Sequence, residues 1–478
     1  MNLSHVPWLE AAVLLPLLGA IFVGRLRNNE TARALALGFS GAAFCCAMLA
    51  WQQFAFGHAA PPDLLHDWTA GRVGLSLDAL SAPLVPLTAL LFVLTTLVTL
   101  RTKIRRFSFA WSLFSETVVL ATLASHQPWL IIALLAIGTV PPYLELRARG
   151  KPVRAYVLHM GLFIGLLVLG QWLVAAAVPS GHFSLWTILP LVIAILIRSG
   201  VAPFHCWVTD LFEHASFGTA LLFVTPIVGA YACIRLVLPF ATDDVLRMLG
   251  WFALGTAVYA SGMSLVQREA RRFFCYIFLS HSALVLVGLV TTSPIGLTGA
   301  LCMWLSIGLS LAGFGLTLRV LEARHGRLSL TGYHGAYENT PILGICFLIT
   351  GMASVGFPGS FGFIGAELLV DGAVTTSVYV GVAVVVAAAI NGIAVMKAYF
   401  LLFTGRKQSA TVPLAVSGRE WFAVLTLVAL IIGGGIYPHP GVASRYAAAQ
   451  QLLSNHNYRA PTAEHALTLN PAAQTHSD

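Results

Sequence analysis

Fourteen long apolar stretches run through the sequence and constrain its fold more than any other feature. A membrane-spanning helix needs about 20 mostly apolar residues, and most of the stretches have roughly that length. Only 10% of the residues are charged, whereas soluble domains carry about 25%, so this chain cannot cover a water-facing surface. We therefore predict an all-α polytopic membrane protein with about fourteen transmembrane helices. The predicted spans cover residues 7–24, 33–55, 79–100, 107–126, 128–146, 154–178, 183–203, 217–239, 245–265, 273–291, 296–321, 340–373, 376–403 and 419–437.

Basic residues cluster in alternate loops between these spans. The net charge of +8 is compatible with a nucleic-acid partner, but 20 of the 27 Lys and Arg residues lie in or beside loops that follow odd-numbered spans. Loops rich in Lys and Arg face the cytoplasm. We therefore predict a multi-pass protein of the bacterial cytoplasmic membrane, with both termini outside and no nucleic-acid partner. The clustered residues are Arg25, Arg27, Arg33, Arg101, Lys103, Arg105, Arg106, Arg147, Arg149, Lys151, Arg154, Arg268, Arg271, Arg272, Arg319, Arg324, Arg327, Arg406, Lys407 and Arg419.

No pattern in the sequence is typical of a cofactor site. The seven cysteines lack metal-binding spacing, and we interpret them as small buried hydrophobic residues. An Fe–S pattern, a nucleotide-binding fingerprint and a P-loop are all absent from the sequence. We therefore expect no cofactor, metal or redox centre on this chain, and we expect any redox centres to lie on partner subunits.

Two spans are interrupted by proline and glycine. Span 7 contains Pro203 within residues 197–205, and span 12 contains Pro358 and Gly359 within residues 356–365. Proline removes a backbone donor, and non-helical backbone at membrane depth is tolerated only inside protein or beside a water-filled cavity. We predict broken helices at both places, a feature that points to an ion site. The alternative is that each proline only kinks a helix for packing.

The two breaks lie five spans apart, and this spacing indicates an internal repeat. A unit of five helices crosses the membrane an odd number of times, so its second copy must be inverted. We predict three N-terminal helices in residues 1–106, a first five-helix repeat in 107–240, an inverted second repeat in 241–405, and the last helix with a polar tail in 406–478. The tail is expected to contain a short amphipathic stretch near 443–453.

Five ionisable residues within the spans are candidates for a proton path. A charge in hydrocarbon is costly, so it usually faces a bundle interior and marks an ion path. Arg198 does not readily lose its proton and would set a field, whereas His281 titrates near neutral pH and can relay protons. The alternatives are snorkelling of Arg198 and Lys397 to an interface and a hydrogen-bonded core role for His281. The candidates are Glu116, Arg198, His281, Glu367 and Lys397.

Three further residues are secondary candidates. Asp371 lies four residues after Glu367, so the two carboxylates share one helix face. His159 lies in span 6 near a basic loop, and His205 follows the break in span 7.

Five segments resemble motifs of one known family. Residues 73–84 resemble the opening of its span 3, and 203–210 resemble its Pro-Leu/Phe-His-x-Trp-Leu-Pro-Asp motif. Residues 324–327 resemble its loop after span 11, 357–365 resemble its Leu-Pro-Gly-x-x-x-Phe-x-Gly-Glu motif, and 397–405 match the basic residue and Phe-x-Gly of its span 13. Their order within fourteen spans resembles the antiporter-like, proton-conducting subunits of NADH:quinone oxidoreductase (complex I) and Mrp-type antiporters, most of all the M chain.

The resemblance implies two inverted five-helix units and proton conduction, but the central titratable groups depart from the family pattern. Ala136 stands at the family's span 5 glutamate, Arg198 at its span 7 lysine, Ile307 at its span 11 histidine, and Ala366, beside Glu367, at its span 12 glutamate. The span 4 carboxylate is kept as Glu116. Because a buried charge needs a partner, we expect Glu116 to be the nearest carboxylate to Arg198.

Three functions are compatible with these features. The favoured hypothesis is a proton-translocating subunit of a complex-I-like NADH:quinone oxidoreductase, set in the bilayer beside other membrane subunits and beside soluble redox subunits on the cytoplasmic side. The second is a membrane subunit of a Mrp-type antiporter or of a cation-coupled inorganic-carbon uptake complex. The third is a structural spacer that has lost conduction. In the favoured hypothesis the proton path runs through His281 and Lys397 to Glu367.

Overall fold

The computed structural model describes residues 6–57, 74–99, 107–180, 183–405 and 415–459, and these residues are mostly helical. The helices are α1 (Trp8–Gly24), α2 (Asn29–Ala55), α3 (Leu84–Leu97), α4 (Phe109–Ala124), α5 (Pro128–Gly138), α6 (Val140–Ala148), α7 (Arg154–Ala177), α8 (Leu185–Arg198), α9 (Cys206–His214), α10 (Phe217–Val224), α11 (Val228–Ala232), α12 (Asp243–Val266), α13 (Ala270–Leu289), α14 (Pro294–His325), α15 (Pro341–Val355), α16 (Phe361–Thr376), α17 (Val378–Phe403), α18 (Gly418–Ile436) and α19 (His439–Arg459). Isolated β-bridges join Leu75 to Ser125 and Glu269 to Ser329.

Every predicted span coincides with helix, so the all-helical membrane fold is confirmed. In the described part of the chain, nine helical segments are long and apolar enough to cross a membrane, and five shorter apolar helices accompany them. Several spans are built from two short helices, so the exact number of fourteen crossings stays a prediction.

Both predicted breaks are confirmed. In span 7, α8 ends at Arg198, and residues 199–205 separate it from α9. Span 12 is divided into α15 and α16 by residues 356–360. Gly356 and Gly359 adopt positive φ angles of 93° and 86°, which residues with a Cβ atom disfavour. The proline in each break supplies no backbone N–H, so neither span continues as one helix.

Two further interruptions occur in the first half, residues 107–240. Span 5 stops being helical at Thr139, before the proline pair that begins at Pro141. Span 8 is interrupted at Pro226 and at Ile227, whose φ is 48°, and it ends in a π-helical turn at Cys233–Val237. The corresponding spans of the second half, α13 and α17, are continuous. The inverted relation of the halves and the proposed domain boundaries stay predictions.

One hydrophobic core extends through both halves, and α13 and α14 of the second half are buried along most of their length. Small residues bring α14 close to α16. A Cβ atom on Gly372 would lie 2.1 Å from the Cα atom of Gly296, and one on Gly299 would lie 2.4 Å from the backbone nitrogen of Leu369. Lipid tails are as apolar as the side chains, so the hydrophobic effect does not drive helices together in a membrane. Close van der Waals contact of this kind holds them together instead.

The C-terminal tail is more helical than the sequence predicted. The helix α19 is much longer than the expected stretch near 443–453, and it packs against α14. Its Arg445 is buried and donates to the backbone oxygens of Ala79 at 2.5 Å and Leu80 at 3.1 Å, before α3. Arg445 thus contacts a segment more than 360 residues earlier in the sequence. Sequence periodicity reflects only local contacts, which explains why it underestimated the length of α19.

Several sequence predictions lie outside the described residues. They concern the basic residues at 101–106, the basic pair at 406 and 407, and the tail beyond 459.

Candidate functional site

Arg198 is the last residue of α8 and lies inside the helix bundle. Its side chain is 7% exposed, and its Nη2 donates to the backbone oxygen of Phe223 at 3.1 Å. The guanidinium carbon lies 4.2 Å from the centre of the Phe223 ring and 5.7 Å from that of Trp207. A cation over an aromatic face is attracted by the quadrupole of the ring. The snorkelling alternative is therefore wrong for Arg198, whose charge stays in the protein interior.

Arg198 and Glu116 do not form an ion pair, and the expectation that Glu116 is the nearest carboxylate stays a prediction. Glu116 is buried, and its Oε1 accepts a hydrogen bond from Ser40 Oγ of α2 at 2.9 Å. Among the described residues, Arg198 forms no ion pair with any carboxylate. Successive side chains on a helix are rotated by about 100°. In the fold, the face of α4 that carries Glu116 points toward α2. The sequence position of Glu116 does not determine that direction.

A cavity of about 770 Å³ reaches Arg198. One wall is a polar stripe that begins at Ser108, the N-cap of α4, and continues along the helix through Ser112, Ser115 and Thr122. At 1.5 Å per residue the stripe extends over roughly 21 Å. Asn29 at the start of α2 and Lys151 after α6, both beside basic loops, also line the cavity. The cavity therefore extends from the basic-loop side, which we predict to be cytoplasmic, to the break in span 7.

Glu145 also lines this cavity, and the sequence analysis did not identify it. One oxygen lies 2.9 Å from Arg149 Nε and accepts from the backbone nitrogen of Ser216 at 2.6 Å, and the other accepts from Thr219 Oγ1. The carboxylate thereby satisfies the N-terminus of α10, where backbone donors lack helical partners. The available signal was an acid placed just after the proline pair of span 5.

His281 lies buried in α13, beside the break of span 12. Its Nδ1 is 2.7 Å from the backbone oxygen of Ile277, and the ring also interacts with the backbone of Ser354. The adjacent Ser280 Oγ accepts from Asn391 Nδ2 of α17 at 2.8 Å. Asn391 Oδ1 is buried without a hydrogen-bond partner among the described residues. The second half thus brings a titratable side chain to a helix break, and its role as a relay stays a prediction.

The other candidates of the second half are exposed on the outside of the chain. Lys397 Nζ donates to the backbone oxygen of Leu265 at 2.8 Å, near the C-terminus of α12. Glu367 and Asp371 share the exposed face of α16, as their spacing indicated. This chain alone does not bring these three residues together with His281. A proton path that joins them stays a prediction.

His159 and His205 lie partly buried in the first half. His159 Nδ1 is 2.8 Å from the backbone oxygen of Ala155, one turn earlier. His205 follows the break of span 7, and its ring centroid lies 5.3 Å from that of Tyr259 on α12. His205 Nδ1 is buried without a hydrogen-bond partner in the described chain.

Asp78, His126 and Arg235 form a polar network that the sequence analysis did not identify. Asp78 Oδ2 lies 2.6 Å from Arg235 Nη2 and 3.4 Å from His126 Nε2. The network joins the segment before α3, the end of α4 and the end of span 8. Burial alone would raise the pKa of Asp78, but the His126 hydrogen bond and the Arg235 charge hold it well below its usual range.

Ion pairs tie α14 to its neighbours at the basic-loop side. Glu322 lies 2.6 Å from Arg271, and Arg324 lies 2.7 Å from Glu420. Arg319 donates to the backbone of α3 at 3.0 Å. These arginines belong to the clusters that indicated the topology, and in the fold they hold helices together.

Candidate metal ligands do not converge in the part of the chain that the structure describes. No group of three or more His, Cys, Asp and Glu side chains there could hold a metal ion, and the cysteines are unpaired thiols. The expectation of no cofactor on this chain stays a prediction.

Comparisons with known proteins agree with this architecture. A family model described as NADH:quinone oxidoreductase/Mrp antiporter, TM, matches residues 157–391. A relative named NAD(P)H-quinone oxidoreductase chain 4 1, from Nostoc sp., is 26% identical over 92% of this chain and 89% of its own length. A protein of the same name from Synechococcus sp. (strain JA-3-3Ab) is 28% identical over 91% of each chain.

Two solved structures share the fold at low sequence identity. A chain of respiratory complex I from Thermus thermophilus has a TM-score of 0.83 and 22% identity, covering 94% of this chain and 100% of that chain. A chain of the Mrp complex from Dietzia sp. DQ12-45-1b has a TM-score of 0.78 and 15% identity, covering 96% of this chain and 99% of that chain.

Proposed function

Because this chain belongs to the NADH:quinone oxidoreductase/Mrp antiporter family of membrane subunits, we propose that it is a proton-translocating subunit of a complex-I-like oxidoreductase. Electrons move between cofactors on partner subunits, and this chain, without a redox centre of its own, carries the coupled ion movement. The observation that carries the proposal is the cavity that reaches Arg198 from the basic-loop side. Access to a buried charge at a helix break is what an ion translocator requires.

The two halves would play different parts in this mechanism. Arg198 keeps its proton at accessible pH, so it acts as a fixed positive charge on the cavity wall. Water in the cavity would carry protons along the hydroxyl groups of Ser112 and Ser115. His281 is the titratable group of the second half that would relay a proton, and it lies beside the break in span 12.

Proton uptake by the complete complex, reconstituted in liposomes and driven by its electron donor, tests this proposal. We expect His281→Ala to lower proton uptake per electron at least severalfold, and we expect smaller losses with Lys397→Ala and Glu367→Gln. His439→Ala, which changes an exposed histidine outside the candidate path, should leave uptake unchanged.

Two outcomes would contradict parts of the proposal. Undiminished uptake in all three variants, with loss only on changing Glu116 or Arg198, would refute the assignment to the second half. No proton uptake by the correctly assembled unmutated complex would favour a structural spacer.

A Mrp-type antiporter is the second candidate function. It is favoured by the likeness to the Dietzia Mrp chain along almost the whole length of both proteins. Purification in mild detergent distinguishes the two functions. Soluble flavin and Fe–S subunits in the preparation would support the oxidoreductase, and small hydrophobic subunits without redox centres would support the antiporter. A large zinc-containing soluble partner would instead indicate an inorganic-carbon uptake complex.

The proposal includes a location in the bacterial cytoplasmic membrane with both termini outside. The support is the concentration of Lys and Arg beside loops that follow odd-numbered spans. A membrane-impermeant thiol reagent added to intact spheroplasts should label Thr242→Cys, next to an even loop, and should not label Glu338→Cys in the loop after span 11. The reverse labelling pattern would invert the topology.

A further inference from the structure

Arg198 lacks a counter-charge within the described chain. Its guanidinium is more than nine-tenths buried, and its one hydrogen bond there goes to a neutral acceptor, the backbone oxygen of Phe223. The aromatic rings of Phe223 and Trp207 contact the cation but contribute no negative charge. Buried charges in proteins are ordinarily paired. The compensation for Arg198 must therefore come from what fills the cavity.

The cavity itself has a positive balance. Lys151, Arg149 and Arg198 all line it, the first two beside the basic loop after span 5. Glu145 is the one acid among the described residues that line it. That carboxylate is already bound to Arg149 and to the N-terminus of α10. Three cations and one occupied carboxylate make the space attractive to an anion.

The shape of the site restricts which anion fits. One face of the guanidinium is covered by the Phe223 ring, so a ligand must approach the edge that carries the N–H groups. Five N–H donors lie in the guanidinium plane, and just one is used by the Phe223 backbone. A planar anion with two adjacent oxygens can accept two parallel N–H bonds from such an edge. Ser115 and Thr122 also line the cavity.

We propose that the cavity is a binding site for a small monovalent anion of carboxylate geometry, held by the edge of Arg198 and exchanged from the basic-loop side. The volume of about 770 Å³ accommodates such an anion together with water. Anion binding neutralises the one buried charge at the break of span 7, and release restores it. Occupancy by the anion thereby determines the electrostatic field at this break. The site goes beyond the proposed function, because its occupancy can be measured without proton transport.

Titration of the intact complex in detergent with carbon-13-labelled formate, followed by NMR line broadening, tests the site. The unmutated complex should show saturable formate binding. Arg198→Gln removes the charge and should weaken binding about tenfold or more, the usual effect of losing a charged hydrogen-bond partner. Thr122→Glu places a fixed carboxylate on the cavity wall while leaving Arg198 in place, and it should weaken binding to the same degree. Arg247→Gln, which changes an exposed arginine outside the cavity, should bind formate like the unmutated complex.

Several results would overturn the proposal. One is the absence of saturable formate binding in the unmutated complex. Another is unchanged affinity in folded Arg198→Gln, or in Thr122→Glu if the first variant does not fold. Displacement of formate by equal concentrations of chloride would overturn the carboxylate geometry, because a spherical ion cannot use two parallel donors in that way.

Discussion

At the scale of single residues, the buried charges fall into two classes. Asp78 and Arg235 satisfy each other within the chain, and their side chains are 18% and 13% exposed. Arg198 is more deeply buried, at 7% exposed, and among the described residues its neighbours are aromatic rings and a backbone oxygen, without a carboxylate. Removing one partner of a buried ion pair is costly because it leaves the other charge buried and uncompensated. Substitutions in the paired class and in the unpaired class should therefore change the stability differently.

The Asp78 pair gives a direct stability prediction. Asp78→Asn should lower the free energy of unfolding by about 2–4 kcal/mol, because it leaves Arg235 partly buried without a full counter-charge. Asp244→Asn is the matched control, since the Asp244–Arg247 pair is mostly exposed and exposed pairs contribute little. Unfolding in mixed detergent micelles measures both. Equal effects of the two substitutions would contradict the burial argument.

The effect of Asp78→Asn should also depend on pH. The folded pKa of Asp78 lies well below its usual range, and the unfolded value is about 3.9. A group with a depressed folded pKa stabilises the protein above its unfolded pKa, and that stabilisation is lost as the pH falls toward the folded pKa. The stability difference between wild type and Asp78→Asn should therefore be constant from about pH 8 to pH 5 and shrink below about pH 4. A difference that shrinks already between pH 7 and pH 5 would show that Asp78 is not held ionised.

At the scale of elements, broken and continuous helices serve different purposes. Spans 7 and 12 are broken beside Arg198 and His281, where backbone must leave the helix next to polar side chains. The long helix α14 is continuous and crosses α16 through glycines, with the Cα atom of Gly296 facing Gly372. Packing at this crossing leaves no room for a methyl group.

The crossing of α14 and α16 yields an element-scale prediction. Gly372→Ala should lower the free energy of unfolding by about 1–3 kcal/mol, because overpacking forces the backbones apart. Gly41→Ala in α2 is the control, since a Cβ atom there meets open space and alanine favours helix by up to about 1 kcal/mol. Thermal unfolding of the purified proteins compares the two. Destabilisation of similar size in both would show that the close approach at Gly372 is not what limits the substitution.

At the scale of the whole molecule, α19 connects the two ends of the chain. Its buried Arg445 donates to the backbone oxygens of Ala79 and Leu80 before α3. This segment follows Asp78, so the C-terminal helix and the Asp78 network share one region of the molecule. The last helix is therefore part of the fold, although it is not a membrane span.

Loss of this connection should loosen the C-terminal helix. Arg445→Gln shortens the side chain and removes its charge, so α19 should detach more often and its peptide bonds should be cleaved several times faster by a soluble protease. Tyr446→Gln changes a neighbouring residue that is 43% exposed and should leave cleavage nearly unchanged. Identical cleavage rates for the unmutated protein and Arg445→Gln would mean that other contacts hold the helix.

The sequence by itself determined which segments are helical and where two of them break. Helical hydrogen bonds join residues four apart, so apolar length, Pro203 and the glycines around Pro358 were sufficient evidence. The four-residue spacing of Glu367 and Asp371 likewise predicted that they share a face. The interruptions of spans 5 and 8 were missed, although proline occurs at both, because proline is also tolerated in the first turn of a helix.

Only the tertiary structure decided which polar side chains meet. The direction in which a helix face points depends on packing between segments far apart in the chain, and a rotation by one residue turns a side chain by about 100°. For this reason Glu116 contacts Ser40 and not Arg198, and Glu145 lines the cavity. For the same reason the side chain of Lys397 is exposed on the surface of the chain, whereas that of Arg198 is buried. Local hydrogen bonding makes the helices of this protein, whereas long-range packing determines the surroundings of its charges.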